Sequence, residues 1–308
     1  METHKLPKGL WPVMLTPFNE DKSINYREYE SLINYYIDNS AAGLFASCGS
    51  SEMDMLSGDE LFELAAKAVE FAGGRVPVVA GAIIIDELPK QIDMVKRMAQ
   101  SGVDTVVIGM SQFAREDESE DTIISRIDSL ISETEGIRLG LYECPHPYRR
   151  TFSSDKFDYL INTGRFYFHK DTCCEAEGIS AKVKSTINSN TIFLNAHFPT
   201  LEHSLKCGGD GYCGVVTNFF PDLLAYICEN YFETQQIDQA VMDFISSADE
   251  VVRNKYPRSA KMFINRNAGI ITDCCRTGVE FFNDTDLKLV DMFIQKYKTV
   301  QESVFIAK

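Results

Sequence analysis

Short apolar runs alternate with longer amphipathic ones through the first three-quarters of the chain. The apolar runs predict strands over 11–15, 43–47, 76–81, 105–109, 138–142, 166–170, 192–195 and 212–216. Between them, apolar positions recur at helical spacing over 26–39, 58–71, 88–101, 122–135, 154–163, 175–187 and 201–206. Strands repeating at very roughly 30 residues, with helices between, are the pattern of a (β/α)8 barrel rather than of a smaller doubly wound sheet. From about residue 232 the strand signals stop, and 238–252, 259–268 and 286–303 read as helices. The fold class is therefore α/β: a TIM barrel over residues 1–231 that holds the active site, followed by a C-terminal helical extension over 232–308.

Several boundaries carry their own chemistry. Ser57-Gly58-Asp59-Glu60 and Ser154-Asp155 supply a capping oxygen before a first helical turn. Gly102 and Gly164 stand where helices end.

Composition narrows the function. The 308 residues are 44% hydrophobic and 24% charged, enough to bury a sizeable core. A formal net charge of -15 repels phosphate backbones and anionic membranes, which argues against nucleic-acid and membrane roles. No apolar run approaches the roughly 20 residues of a membrane span. Nine cysteines without a secretory leader point to a reducing, cytoplasmic setting. Cys173-Cys174 and Cys274-Cys275 are adjacent pairs, and Cys207 and Cys213 are too far apart for the short zinc spacing, so neither disulfide nor metal is expected.

In such a barrel the chemistry gathers at the C-terminal ends of the strands. Lys170 closes the run Phe166-Tyr167-Phe168-His169-Lys170. A lysine there could snorkel to water. Burial, however, disfavours an ammonium, and only a neutral amine attacks a carbonyl to form a Schiff base. Tyr142 ends the fifth strand, where a phenol can pass protons or merely cap the core. The turn Ser47-Cys48-Gly49-Ser50-Ser51-Glu52 offers hydroxyls and N–H groups for a carboxylate, or is a plain βα turn. Gly209-Asp210-Gly211-Tyr212-Cys213-Gly214 matches a dinucleotide fingerprint literally, but it follows a helix and ends inside a strand. Cys144 or Cys174 with His146 or His169 has no spacing that supports a nucleophilic triad.

Taken together, these strand ends resemble the dihydrodipicolinate synthase / N-acetylneuraminate lyase family of Schiff-base aldolases. The resemblance rests on Leu15-Thr16-Pro17-Phe18, on Gly49-Ser50-Ser51-Glu52 with Leu56-Ser57, and on Val76-Pro77-Val78 with Gly81. It continues through Tyr142 with Pro145, Lys170-Asp171, and Gly208-Gly209 through Asn218, a run that includes Cys213. It implies a lyase in which Lys170 forms an iminium with pyruvate or a related 2-oxo acid and Tyr142 acts as general acid/base. It further implies that Gly49, Ser50, Ser51 and Cys213 hold the oxo acid, with no metal or organic cofactor, and that the chain is a dimer or tetramer. Arg149, Arg150 and His197 flank strand ends and would face the aldehyde half of the pocket.

The sequence also departs from the family. The usual G-T-T-G-E turn reads Cys48-Gly49-Ser50-Ser51-Glu52, with its glycine displaced. Pro147 stands where the synthases carry an arginine, and 109–113 lacks their tyrosine that reaches a neighbouring subunit. Asn195-Ala196-His197-Phe198-Pro199 lacks the acidic pair of the sialic acid lyases. A Schiff-base sugar-acid dehydratase and a catalytically weak 2-oxo-acid-binding relative therefore stay open beside the aldolase.

Overall fold

The computed structural model describes residues 5–83 and 85–306. Eight parallel strands form one curled sheet: β1 (Gly9–Leu10), β2 (Leu44–Ala46), β3 (Val78–Gly81), β4 (Thr105–Gly109), β5 (Leu139–Tyr142), β6 (Phe166–Asp171), β7 (Ile192–Asn195) and β8 (Gly211–Tyr212). Their order is β1-β8-β7-β6-β5-β4-β3-β2. Helices α1 (Tyr26–Asp38), α2 (Gly58–Ala72), α3 (Leu88–Ala99), α4 (Glu120–Glu133), α5 (Ser154–Asn162), α6 (Ala176–Thr186), α7 (Leu201–Lys206) and α8 (Pro221–Thr234) follow successive strands. Then come α9 (Gln239–Ser247), α10 (Asp249–Arg253), α11 (Arg258–Ala268) and α12 (Asp284–Gln301). Among the described residues no helix is long and apolar enough to cross a membrane.

The seam of the sheet departs from the sequence expectation. The ladder ends at β1 and β2, and β1 lies at Gly9–Leu10 rather than over 11–15. Pro12 has no N–H to give a ladder, so among the described residues this segment meets the β2 segment through isolated parallel bridges, Leu10–Ala41 before β2 and Val13–Phe45 within it. Phe45 N donates to Pro12 O at 3.0 Å and Met14 N to Phe45 O at 3.0 Å. Two glycines set this end of the sheet. A Cβ on Gly211, at φ +143, would lie 1.9 Å from the Gly9 carbonyl oxygen, and one on Gly43 would lie 2.3 Å from the Trp11 ring.

Other differences have local causes. β8 stops at Tyr212, and 215–218 turns as a short 3₁₀ segment instead of extending the strand. α4 begins at Glu120 because Ser119 caps it, accepting from Thr122 N. The long helix expected over 238–252 breaks at Ala248 into α9 and α10. α8 lies where the polar–apolar pattern marked no helix: Leu223, Leu224, Ala225, Ile227, Cys228 and Tyr231 are all buried, which hides the amphipathic period. By contrast, Ser57 and Glu60 form a reciprocal capping box, and Gly102 and Gly164 take positive φ past helix ends.

The C-terminal helices join the same core. Phe263 of α11 and Tyr297 of α12 pack their rings against Phe220 at the start of α8. The extension thereby sits against the turn that follows β8.

Candidate functional site

Side chains alternate across β5 and β6, so neighbouring residues face opposite ways. On the inner face, the rings of Trp11, Phe45 and Phe168 pack edge to face at centroid distances of 5.4–5.5 Å. Above this floor, Tyr142 and Lys170 are cross-strand partners at the C-terminal ends of β5 and β6. Lys170 Nζ lies 4.2 Å from the Tyr142 ring centroid and 5.4 Å from that of Phe45. Lys170 is only 5% exposed, yet among the described residues it has neither an ion pair nor a hydrogen bond. The Tyr142 phenol is held well above the usual tyrosine range, first by burial and then by its neighbours Cys144 and Cys48. It stays protonated beside the Cys144 thiol. Cys213, directly after β8, is wholly buried, and burial pushes its thiol up to about 12 against the pull of the Lys170 charge. The amine and phenol therefore lie buried beside the protonated thiols of Cys144 and Cys213.

The turn after β2 separates the serines. Ser51 is committed: its hydroxyl donates to Met14 O at 2.7 Å and accepts from Cys48 N at 3.1 Å. Ser50 only accepts, from the Tyr256 hydroxyl at 2.6 Å. A Cβ built on Gly49 would meet nothing within 4 Å, so the turn opens onto free space there. Glu52, buried with a left-handed φ of 59°, pins the turn to the extension. Its carboxylate accepts from Lys261 Nζ at 2.6 Å and from the N–H groups of Arg276 and Thr277 at 2.8 and 2.7 Å.

At the rim, His197 lies beside a cavity of about 210 Å³ that Tyr212, Asp249 and Arg253 also line. Its imidazole is held below the usual range by burial and by the charges of Arg253 and Arg149. Arg149 is exposed, and among the described residues its side chain donates only to the Cys174 sulfur, at 3.7 Å. Arg150 is engaged elsewhere: Nη2 donates to the carbonyls of Arg115, Glu116 and Glu118 at 2.9, 2.9 and 3.0 Å. Of the basic residues singled out in the sequence, Arg149 lies near enough to His197 for its charge to be felt there, while Arg150 braces the loop before α4.

The outer face of the same strands holds a buried ionic group. Lys182 of α6 bonds Glu143, and its Nζ also lies 2.8 Å from Asp171 Oδ1. Glu143 accepts from Thr172 N at 3.2 Å as well. The His169 ring packs tilted against that of Phe157 at 4.6 Å, and its Nε2 stays 3.8 Å from Asp171, too far for a hydrogen bond. Glu143, His169 and Asp171 lie close enough to share a cation, but the Lys182 ammonium already fills that place.

Sequence reasoning missed Tyr256, Lys182, Lys261 and the walls supplied by Cys48 and Cys144. Lys182 falls on the apolar stripe of its helix, a local signal; Tyr256 arrives from the extension and gives none.

Comparison with known proteins agrees with this geometry. The model of the dihydrodipicolinate synthetase family matches residues 6–279. A 4-hydroxy-tetrahydrodipicolinate synthase from Pseudoalteromonas atlantica is 24% identical over 247 residues, 78% of this chain and 82% of the relative. Among solved structures, a monomeric dihydrodipicolinate synthase variant superposes with a TM-score of 0.87 at 18% identity, covering 97% of this chain and 99% of the other. YagE, a prophage protein from E. coli K12 in complex with pyruvate, gives 0.84 at 17% identity, covering 94% and 98%. With an amine and a phenol paired at adjoining strand ends of this fold, the chain belongs to the dihydrodipicolinate synthetase family of aldolase-type lyases.

Proposed function

We propose that the protein is a Schiff-base class I aldolase that takes pyruvate or a related 2-oxo acid and joins it to, or releases it from, an aldehyde. The observation that carries this reading is the buried amine of Lys170, without a counter-ion and resting on the Tyr142 ring. The amine attacks the keto carbon, and the carbinolamine loses water to give an iminium. The iminium draws electrons from the neighbouring carbon, which loses a proton to form the enamine nucleophile. Tyr142, kept protonated by burial, donates a proton to the departing hydroxyl and to the aldehyde oxygen, and takes protons back in reverse. Ser50, the turn serine with a hydroxyl hydrogen still uncommitted, holds the substrate carboxylate with the N–H groups of the 49–51 turn. Cys213 and Gly49 shape the space around the oxo acid, and His197 with Arg149 faces the aldehyde half. Pyruvate is suggested by the pyruvate complex of YagE, a protein of the same fold.

Borohydride trapping tests the reading. Incubation with pyruvate, reduction and intact-mass measurement are expected to give a pyruvate-sized adduct on the Lys170 peptide. No adduct with pyruvate or longer 2-oxo acids would overturn the aldolase and leave a binding protein.

A further inference from the structure

We propose that Tyr256, carried by the C-terminal extension, is a positioning residue that sets the Ser50 hydroxyl as a hydrogen-bond donor to the carboxylate of the 2-oxo acid. The inference rests on the Schiff-base reading above and names the group that prepares its carboxylate subsite.

Hydrogen-bond polarity carries the argument. The Val13 carbonyl accepts from Asn218 at 3.0 Å, and a carbonyl cannot donate, so the Asn218 amide nitrogen faces it. The other hydrogen of that nitrogen goes to the Tyr256 oxygen, also at 3.0 Å. Asn218 Oδ1 accepts from Tyr36, which fixes the amide from its other side. Tyr256 therefore receives a hydrogen bond from Asn218 and spends its own hydrogen on Ser50 Oγ, at 2.6 Å. Ser50 has become an acceptor on this side, so its hydrogen points elsewhere, and no protein group takes it among the described residues. A chain with one direction thus runs from Tyr36 through Asn218 and Tyr256 and ends in a free O–H. Such a terminus suits an anion, since hydroxyls donate strongly to carboxylates and the desolvated site sharpens the contact. Both ends of the chain are fixed: Ser50 shares its turn with Glu52, which Lys261 and Arg276 clamp to the extension, and Asn218 ends the turn after β8. The extension thus contributes a side-chain link between these two turns, which the Val13–Met14 segment also ties together.

The experiment compares trapping by pyruvate with trapping by acetone, a methyl ketone without a carboxylate. In Tyr256→Phe the ring is kept and only the hydroxyl is lost. Half-saturating pyruvate is expected to rise about threefold to tenfold, the order of one ordinary hydrogen bond, because the Ser50 hydroxyl is misdirected rather than removed. Acetone should trap as in the wild type. Ser50→Ala should show at least the same selective loss, and the double variant should go no further than Ser50→Ala alone. Asn218→Asp, which reverses the polarity of the chain at constant shape, should reproduce the loss and decides the matter if Tyr256→Phe does not fold. An unchanged ratio of pyruvate to acetone trapping in these variants overturns the inference. So does an equal weakening of both ketones with a lowered melting temperature, which would make Tyr256 a packing residue. If the wild type traps no pyruvate at all, the Schiff-base reading itself fails, and the inference with it.

Discussion

The inner and outer faces of the β5–β6 pair differ by one residue in register and by opposite electrostatics. Inside, Tyr142 and Lys170 meet over aromatic rings and thiols, with no carboxylate bonded to the amine. Outside, Glu143 and Asp171, the very next residues, hold Lys182 in a closed ionic group. Both lysines are buried, at 5% and 2% exposure, so burial alone does not distinguish them. What distinguishes them is the partner. A paired ammonium is fixed in charge and geometry, whereas an amine without a counter-ion is available to a carbonyl. Lys261, with Glu52 and the Cys274 carbonyl each at 2.6 Å, follows the Lys182 pattern and serves structure.

Exchanging each lysine for a residue of similar length tests this contrast most severely. Lys170→Met is expected to abolish the trapped adduct and leave the unfolding free energy no lower, because no pair is broken. Lys182→Met strands Glu143 and Asp171 and should cost about 3–5 kcal/mol, read by urea denaturation. Equal destabilisation by both changes would break the contrast. Within the inner face, Tyr142→Phe keeps the ring beside Lys170 and removes the phenolic proton. Adduct formation is expected to slow by about 10²–10⁴-fold with the melting temperature unchanged, the usual range for loss of a general acid. Stopped-flow measurement of iminium formation checks it; an unaltered rate would move the acid role elsewhere.

The outer face also predicts a pH response. Burial holds His169 neutral and lowers its pKa to about 4 from the ordinary 6.5. On acidification the unfolded chain therefore takes a proton before the folded one, and stability is lost as pH falls from about 6.5 to 4. At 1.36 kcal/mol per unit, this amounts to about 3 kcal/mol. Glu143 acts the other way: burial raises its carboxyl to about 7, so the folded protein gains a proton, and stability, as pH falls from about 7 to 4.5. The other facing groups titrate outside this window. Asp171, pushed up by burial but pulled down further by His169 and Lys182, ends below the usual carboxylate range. Lys182 and the Cys173 thiol are both raised. The two terms oppose, so the wild type should respond to pH less than either group alone would dictate. His169→Phe, which keeps a ring against Phe157, should gain stability as pH falls through that window. Parallel curves for the two proteins would show that His169 carries no such linkage.

Much of the inner face was legible in the sequence because period and chemistry coincided there. An apolar run that ends in lysine, and another that ends in tyrosine, mark Lys170 and Tyr142 as strand-end residues from the sequence alone. The seam was not legible, since the composition of 11–15 suits a strand while Pro12 forbids the ladder. Nor could the turn Gly49-Ser50-Ser51 say which hydroxyl was free. That depends on the Met14 carbonyl beneath Ser51 and on Tyr256, roughly two hundred residues away in sequence, beside Ser50. Pattern reports which face a residue takes; partners across such distances decide whether its polar atoms are spent.

Arg149 and Arg150 repeat the contrast of the lysines at the surface, with the smallest expected effects. Arg150, giving its hydrogens to three carbonyls of the loop before α4, stands to that loop as Lys182 stands to β5 and β6. Its replacement by alanine should lower the melting temperature slightly, since three largely exposed loop carbonyls lose their shared donor, and leave pyruvate trapping at the same half-saturation. Arg149 is exposed at the rim near His197, without an acidic partner among the described residues. It should draw an anionic oxo acid toward the mouth, a contribution to association rather than to the bound state. Arg149→Ala is therefore expected to slow trapping at low ionic strength by about twofold to threefold, and the gap should close near 0.5 M salt, where screening acts within a few ångströms. A slowdown that persists at high salt would mean that Arg149 touches the bound substrate. A melting-temperature loss in Arg149→Ala equal to that in Arg150→Ala would mean that the free arginine is structural after all, and partner counting would then fail at the rim even where it holds inside the sheet.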